Sequence, residues 1–465
     1  GTVTAACDAL ALGLGASVGR YGPAVQLGAT VASALGQSLR MTRTGLRVLL
    51  GCGVSAAISA SFNAPIAGAI FAHEVIIGNF SLRAFAPIAV SSVVAVGVAR
   101  FHGFEYVALK LSEESLHLVL WEYPVYMLLG LVSAGVALLY MNGVLRLGET
   151  ASRAGLPIWI QPALGGALAG AIGLWMPQVL GLGENTMHAI LDTGTAASNY
   201  GIGLLALLLL AKLLASVSCL GLRYPGGVFS PALFMGIALG GIAGFVFPFL
   251  DYQICVLVGM GALVTSVIGA PIATILIVFE LTEDYQAATA VMMGVVAANA
   301  VVTRYHARSI FYRQILRWGI DLDRPREQRL MSARSVSEVF SNTFTWVGPD
   351  ASTAEIKATL EGHGGDIFVA EPEGRRLLGR IPLRRLLSAD ASQSARDLCE
   401  PAHVRLTASD SLWDGFLAIE TFVGRSVPVV EDDASMRLVG TVTEGDFVAA
   451  YRQAVQEARE DHAHR

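Results

Sequence analysis

Twice in this chain an apolar segment is broken by the same arrangement of glycine and proline, and the two breaks align. Arg20-Tyr21-Gly22-Pro23-Ala24-Val25 and Val228-Phe229-Ser230-Pro231-Ala232-Leu233 match so that Tyr21 falls on Phe229, Pro23 on Pro231 and Gly28 on Gly236. A second matched pair follows each break, Ala64-Pro65-Ile66-Ala67 and Ala270-Pro271-Ile272-Ala273, and each runs through apolar residues to a glutamate, Glu74 or Glu280. Duplicated breakers inside apolar segments point to the binding site of a membrane transporter. Backbone unwound at membrane depth must find partners for its N–H groups, and an anion supplies them. The pattern predicts anion movement across a bilayer.

Composition agrees. Apolar residues make up 54% of the chain against 15% charged, fifty glycines are present, and the mean hydropathy is +0.57, too apolar for an ordinary soluble domain. Runs long enough to cross a hydrocarbon core, which takes roughly 20 residues, occur at 84–99, 124–147, 199–222, 227–250 and 286–303. Shorter runs broken by glycine and proline lie between them and read as half-spanning helices. Lys110 and Lys212 are the only lysines before residue 303, whereas Arg304, Arg308, Arg313, Arg317, Arg324, Arg326 and Arg329 crowd together after Val302. The positive-inside rule then places the polar C-terminal part in the cytoplasm. Gly1 runs straight into an apolar segment with no basic flank or cleavage site, so this is no signal peptide and a further segment is expected upstream. Cys7, Cys52, Cys219, Cys255 and Cys399 lack paired spacing, and neither disulfides nor a metal site is expected.

The polar tail repeats as well. Asp350 recurs as Asp410, the strand-like 366–371 recurs as 426–431, and Leu378-Gly379 recurs as Val439-Gly440. Short β runs alternate with amphipathic stretches, so the tail reads as a small α/β tandem. It resembles a CBS-domain pair, with domains expected at 323–390 and 391–465. The segment Gly440-Thr441-Val442-Thr443-Glu444-Gly445-Asp446 matches the pattern with which nucleotide-binding CBS modules hold a ribose, and the resemblance implies that Thr443 and Asp446 bind an adenine nucleotide. The first copy, Gly379-Arg380-Ile381-Pro382-Leu383-Arg384-Arg385, lacks both groups. At most one complete nucleotide site is expected; a dimerisation module without ligand is the other reading.

The region 1–322 resembles the CLC chloride channel and transporter family. Gly19-Arg20-Tyr21-Gly22-Pro23 sits where the family has G-[KR]-E-G-P, and Phe62-Asn63-Ala64-Pro65-Ile66-Ala67-Gly68 is similar to its F-N-A-P-L-A-G. Lys212-Leu213-Leu214-Ala215 leads to Gly226-Gly227-Val228-Phe229-Ser230-Pro231, similar to G-G-[IV]-F-[AS]-P, and Ala270-Pro271 precedes Phe279-Glu280-Leu281-Thr282. Four motifs in order make the resemblance specific. It implies an all-α polytopic membrane protein, an inverted repeat with broken helices that acts as a homodimer, followed by the cytoplasmic α/β CBS tandem. By this matching the backbone around Arg20, Tyr21, Gly22 and Pro23, and around Gly227, Val228 and Phe229, lines the anion path. Helix N-termini suit that task, since each carries unpaired N–H groups and a partial charge of about half an electron.

Departures from the family pattern carry the mechanism. Tyr21 stands in place of the gating glutamate, and gap-free alignment from Asn63 puts Val75 at the second proton-handling glutamate. A phenol titrates near ~10 against ~4.3 for a glutamate, so at neutral pH Tyr21 offers a neutral O–H and shuttles no proton. Glu74 and Glu280 read as structural, and His73 as a buried histidine in preference to a proton relay. The family's serine-bearing G-S-G-I-P loop would precede Gly1. Its pore tyrosine falls on Phe311, with Tyr312 one residue later. The expectation is a passive channel for chloride or a similar monovalent anion in a cell or inner membrane. It needs no cofactor, binds no nucleic acid and has no enzymatic constellation. The rivals are a proton-coupled exchanger with an atypical proton path and a membrane-anchored nucleotide sensor whose pore Tyr21 plugs.

Overall fold

A computed structural model describes residues 1–78, 80, 82–103, 118–191, 200–306, 309–317, 325–363, 366–420, 422 and 424–463. Lys110, Arg308, Gly319, Arg324 and the expected boundary at 322/323 lie outside the described residues. The chain divides into two compact units, Gly1–Ile320 and Asp321–Arg465.

Among its described residues the regular elements of the first unit are all helices. Its first half carries α1 (Thr2–Gly13), α2 (Tyr21–Ser38), α3 (Arg43–Phe62), the short α4 (Pro65–Phe71), which runs into a π-helical turn at Ala72–Ile77, and α5 (Leu82–Phe101). Then come α6 (Tyr123–Arg153), α7 (Ile160–Trp175) and α8 (Glu184–Leu191). The second half carries α9 (Ile202–Gly221), α10 (Phe229–Val246), α11 (Tyr252–Ile268), α12 (Pro271–Thr282), α13 (Tyr285–His306) and α14 (Ile310–Arg317). Among the described residues six helical stretches are long and apolar enough to cross a membrane. One of them, α3, was expected to be a broken half-span. Arg43 and Arg47 at its start and Ser55, Ser59 and Ser61 further on dilute its apolar pattern, yet it runs unbroken for 20 residues.

Local chemistry repeats with the sequence. The α3 helix ends on Asn63 in the left-handed conformation (φ 54°), and α11 ends on Gly269 in the same conformation (φ 77°). In both repeats a proline, Pro65 or Pro271, then opens the next helix, the position where a missing N–H does no harm. The matched glycines have matched tasks. A Cβ on Gly28 of α2 would lie 2.3 Å from the Gly53 carbonyl oxygen of α3, and one on Gly236 of α10 would lie 2.6 Å from the Gly259 carbonyl oxygen of α11. Both helix pairs therefore cross backbone to backbone, as small residues allow within a bilayer.

Among its described residues the second unit contains two three-stranded sheets with one topology. In the first, β1 (Thr345–Val347) runs parallel to β2 (Ile367–Ala370), which pairs antiparallel with β3 (Leu377–Ile381); β4 (Leu406–Thr407), β5 (Val427–Val430) and β6 (Leu438–Val442) repeat this order. Even the register irregularity recurs, at Val369/Ala370 and at Val429/Val430. The helices packed on these sheets include α15 (Arg326–Ser332), α16 (Thr353–His363), α17 (Leu383–Leu387), α18 (Ala395–Leu398), α19 (Leu412–Ile419) and α20 (Glu444–Ala463).

Candidate functional site

The two sequence breaks meet in space. Gly19 and Gly227 form an isolated antiparallel bridge, in which the Gly19 N–H donates to the Gly227 carbonyl (2.7 Å) and the Gly227 N–H to the Gly19 carbonyl (2.8 Å). Side chains are excluded from the junction, because a Cβ on Gly227 would sit 3.0 Å from both the Gly22 nitrogen and the Gly19 oxygen. From this point α2 starts at Tyr21 and α10 at Phe229, each 18 residues long. First-turn N–H groups have no partner within their own helix, so two positive helix ends share one small region. Arg20, Tyr21, Gly22, Pro23, Gly227, Val228 and Phe229 are all brought to it.

Three aromatic rings cover the junction. Tyr21 is buried and stacks on Phe62, with centroids 4.3 Å apart, while Phe229 lies edge-on to Tyr21 at 5.0 Å and tilted against Phe62 at 5.2 Å. Offset and edge contacts of this kind hold rings in register beyond simple burial. The gap on the far side, lined by Phe62, Phe229, Leu233, Met260 and Thr274, measures about 20 Å³, room for about one water. Val75, in the π-helical turn, packs against the larger apolar core that includes these three rings. Its side chain offers no proton-carrying group there.

Glu74 and Glu280 exchange tasks between the repeats. The Glu280 carboxylate accepts from the Ile66 and Ala67 N–H groups at the start of α4 (2.9 and 2.7 Å). Reciprocally, Glu74 accepts from the Ile272 and Ala273 N–H groups at the start of α12 (3.1 and 2.9 Å). A carboxylate at a helix N-terminus satisfies orphan donors and meets the positive end of the dipole. Each repeat thus caps the other. His73, in the same π-helical turn as Glu74, is buried with its ring 5.8 Å from those of Phe80 and Phe85.

At the end of the first unit burial separates the two pore candidates. Phe311 is 39% exposed and Tyr312 only 9%, and the Tyr312 N–H bonds the Ser309 hydroxyl at the start of α14 (3.2 Å). The rings found against Tyr21 are those of Phe62 and Phe229.

In the tail, Thr443 and Asp446 bond each other. The Thr443 hydroxyl and N–H both donate to Asp446 Oδ2 (2.7 and 2.8 Å), closing a cap at the start of α20. Pro382 and Arg385 hold the corresponding places in the first copy, where Arg384 and Arg385 pair with Glu400 (3.3 and 2.8 Å). A cavity of about 710 Å³ opens beside that copy, walled by Ile367, Arg380, Pro382, Arg384 and Arg425.

Three participants escaped the sequence reading as site residues. Phe62 opens a motif and was read only as part of it. Lys212 is fully buried, its Nζ donating to the Val179 and Gly181 carbonyls (2.9 and 2.8 Å) and lying 5.1 Å from the centre of the Phe234 ring. An isolated lysine in an apolar run was the available signal, since such a residue needs specific partners. Glu184, opening α8, pairs with Arg20 at 3.0 Å, a contact that no spacing rule connects.

Comparison with known proteins bears on the same regions. The family model described as voltage gated chloride channel matches residues 2–303, and the CBS domain model matches 396–453. A putative chloride channel protein ClcB-like from Ralstonia nicotianae is 32% identical over 328 residues, covering 68% of this chain and 74% of the relative. The voltage-gated ClC-type chloride channel ClcB of Escherichia coli O17:K52:H18 is 31% identical over 311 residues, covering 64% and 72%. Among solved structures, a CLC-type fluoride/proton antiporter superposes with a TM-score of 0.56 at 25% identity, over 64% of this chain and 72% of that one. A eukaryotic CLC transporter gives 0.56 at 20% identity over 93% and 77%, a likeness of fold alone.

Proposed function

Given that the chain belongs to the voltage-gated chloride channel (CLC) family, whose members carry ions across membranes, we propose that it passes chloride or a similar monovalent anion passively, without moving protons. The observation that carries this reading is Tyr21 at the first turn of α2. Its ring stacks on Phe62 and meets Phe229 edge-on where the family pattern has a glutamate, and aliphatic Val75 stands at the second glutamate position. A neutral phenol can give an anion one O–H but cannot shuttle a proton at neutral pH. The paired N-termini of α2 and α10 supply the rest of the attraction, partial charges strong enough to admit an anion and weak enough to release it.

The homodimer, the cytoplasmic side of the tail and the identity of the anion come from the family resemblance and the positive-inside rule. For the tail we propose one adenine-nucleotide site per chain, at Thr443 and Asp446. A dimerisation module without ligand is the rival.

Chloride efflux from liposomes tests the pore reading. If the Tyr21 ring stands in the path, Tyr21→Ala raises flux several-fold; if its hydroxyl is a ligand, the same change weakens chloride binding by about 0.5–1.5 kcal/mol. Unchanged flux together with unchanged binding places the side chain outside the path. A second reading, proton-coupled exchange, draws on the buried His73 beside Glu74 and on antiporters among the structural neighbours. It requires protons to move with chloride.

A further inference from the structure

The salt bridge between Arg20 and Glu184 joins two segments that share no motif. Arg20 is the last residue before α2, and its guanidinium lies 5.3 Å from the centre of the Tyr21 ring. Glu184 opens α8 and meets that guanidinium at 3.0 Å. Both side chains stay partly open, 47% and 40% exposed. They stand at the edge of the aromatic cluster.

Most half-exposed ion pairs are incidental, because fixing two long side chains costs about as much as the contact returns. This pair differs in its foundations. The loop that presents Glu184 is held by the buried Lys212 ammonium through the Val179 and Gly181 carbonyls, by the Ser17 hydroxyl donating to Val179 (2.9 Å), and by the Gly181 N–H donating to the Gly15 carbonyl (3.1 Å). Gly183 sits against the Phe234 ring so closely that a Cβ there would lie 2.7 Å from it. The backbone at Glu184 is therefore fixed to the very loop, 15–19, that leads into Arg20. An opening of about 430 Å³, lined by Leu12, Gln178, Gly183, Glu184, Asn185 and Thr186, adjoins Glu184. An anion approaching the part-exposed Arg20 meets a carboxylate already in possession.

We propose that Glu184 is a positioning residue that competes with the transported anion: it holds Arg20 over the Tyr21 ring and neutralises the charge that would otherwise draw an anion toward the junction of the two helix ends. The inference rests on the reading of Tyr21 as part of the anion path. An anion displaces the carboxylate from the guanidinium on entry, and the carboxylate returns when the anion leaves. Glu184 then sets how much chloride is needed to load the path, and leaves the passage beyond it unchanged.

The test uses the full chain in liposomes and in detergent, with chloride as the probe and gluconate to vary ionic strength. Glu184→Gln keeps the size and hydrogen-bonding reach of the side chain and removes its charge. At low ionic strength it is expected to lower the chloride concentration for half-maximal flux about threefold, the scale of a half-exposed pair, with maximal flux near that of the unaltered protein. Glu184→Asp falls between the two. The gain disappears in an Arg20→Gln background and shrinks as salt screens the charges. Calorimetric chloride binding by detergent-solubilised Glu184→Gln of unchanged melting temperature gives the same ranking independently of flux. An unaltered half-maximal concentration in Glu184→Gln, or a gain that persists without Arg20, overturns the inference while leaving the Tyr21 reading intact. Failure of the unaltered protein either to pass or to bind chloride overturns both.

Discussion

The molecule contains two duplications, and their copies differ in how closely they match. In the membrane unit both copies retain every part of the device: left-handed helix end, proline start, glycine crossing and terminal glutamate. In the tail the sheets repeat down to the irregularity of their registers, yet the segment after β6 reads Thr443 to Asp446 while the segment after β3 reads Pro382 to Arg385. Each membrane copy supplies part of the other: Gly19 bonds Gly227, Glu280 caps α4 and Glu74 caps α12. A change in one copy damages both. The cap at Thr443 and Asp446 is made entirely within the second tail copy, although the two tail copies also meet, at the Arg376–Arg437 bridge and where Asp366 accepts from the Arg425 and Ser426 N–H groups.

The sharpest way to break the comparison is at the glycine crossings. Gly28→Leu and Gly236→Leu each drive a side chain into backbone within 2.3–2.6 Å, and the cost should reach or exceed the upper end of the ~1–3 kcal/mol typical of overpacking. Both variants are expected to lose monodisperse elution in detergent. Tolerance at one site and collapse at the other would show that the two copies are not equivalent.

Removing a reciprocal cap is milder. Glu74→Ala and Glu280→Ala each leave two N–H groups without their carboxylate, a loss of about 2–3 kcal/mol given the strength of hydrogen bonds to charged acceptors. Glutamine, which retains a neutral acceptor, should recover part of it. Thermal melting of the detergent-solubilised protein reads both, and the account expects the two positions to agree closely.

The tail should show the opposite behaviour, with inequality between its copies. Asp446→Ala removes the carboxylate half of the cap of α20 at a cost of about 1 kcal/mol, whereas Pro382→Ala, at a half-buried position whose side chain caps nothing, stays within ~0.5 kcal/mol. If an adenine nucleotide binds, calorimetry finds one site per chain and Asp446→Ala abolishes it. Two equivalent sites would mean that the arginine-lined cavity beside the first copy also accepts the ligand.

Sequence made much of this legible because the signals were local. Proline starts, a glycine after an apolar run and alternating β residues report their own backbone, and they located α2, α4, α10, α12 and both sheets. The junction of Gly19 with Gly227 was visible as a repeat but not as a contact, since matched motifs tell of symmetry and only packing tells which surfaces meet. Glu74 and Glu280 were legible as structural, but that each serves the opposite copy was not. Phe62, Lys212 and Glu184 stayed hidden for the same reason: their partners are far along the chain, and no residue pattern encodes a stack, a staple or an ion pair between distant loops. The long α3 helix was missed because its arginines and serines mask its apolar face from any hydropathy reading.

The central claim is that Tyr21 and Val75 leave the path without proton carriers, and the most direct measurement is proton movement under a chloride gradient. Purified protein in liposomes is given a chloride gradient while external pH is recorded with the membrane potential set by a potassium ionophore. The account predicts chloride flux with no uphill proton movement and a reversal potential in planar bilayers that follows chloride alone across the pH range. Protons pumped in fixed proportion to chloride would contradict it.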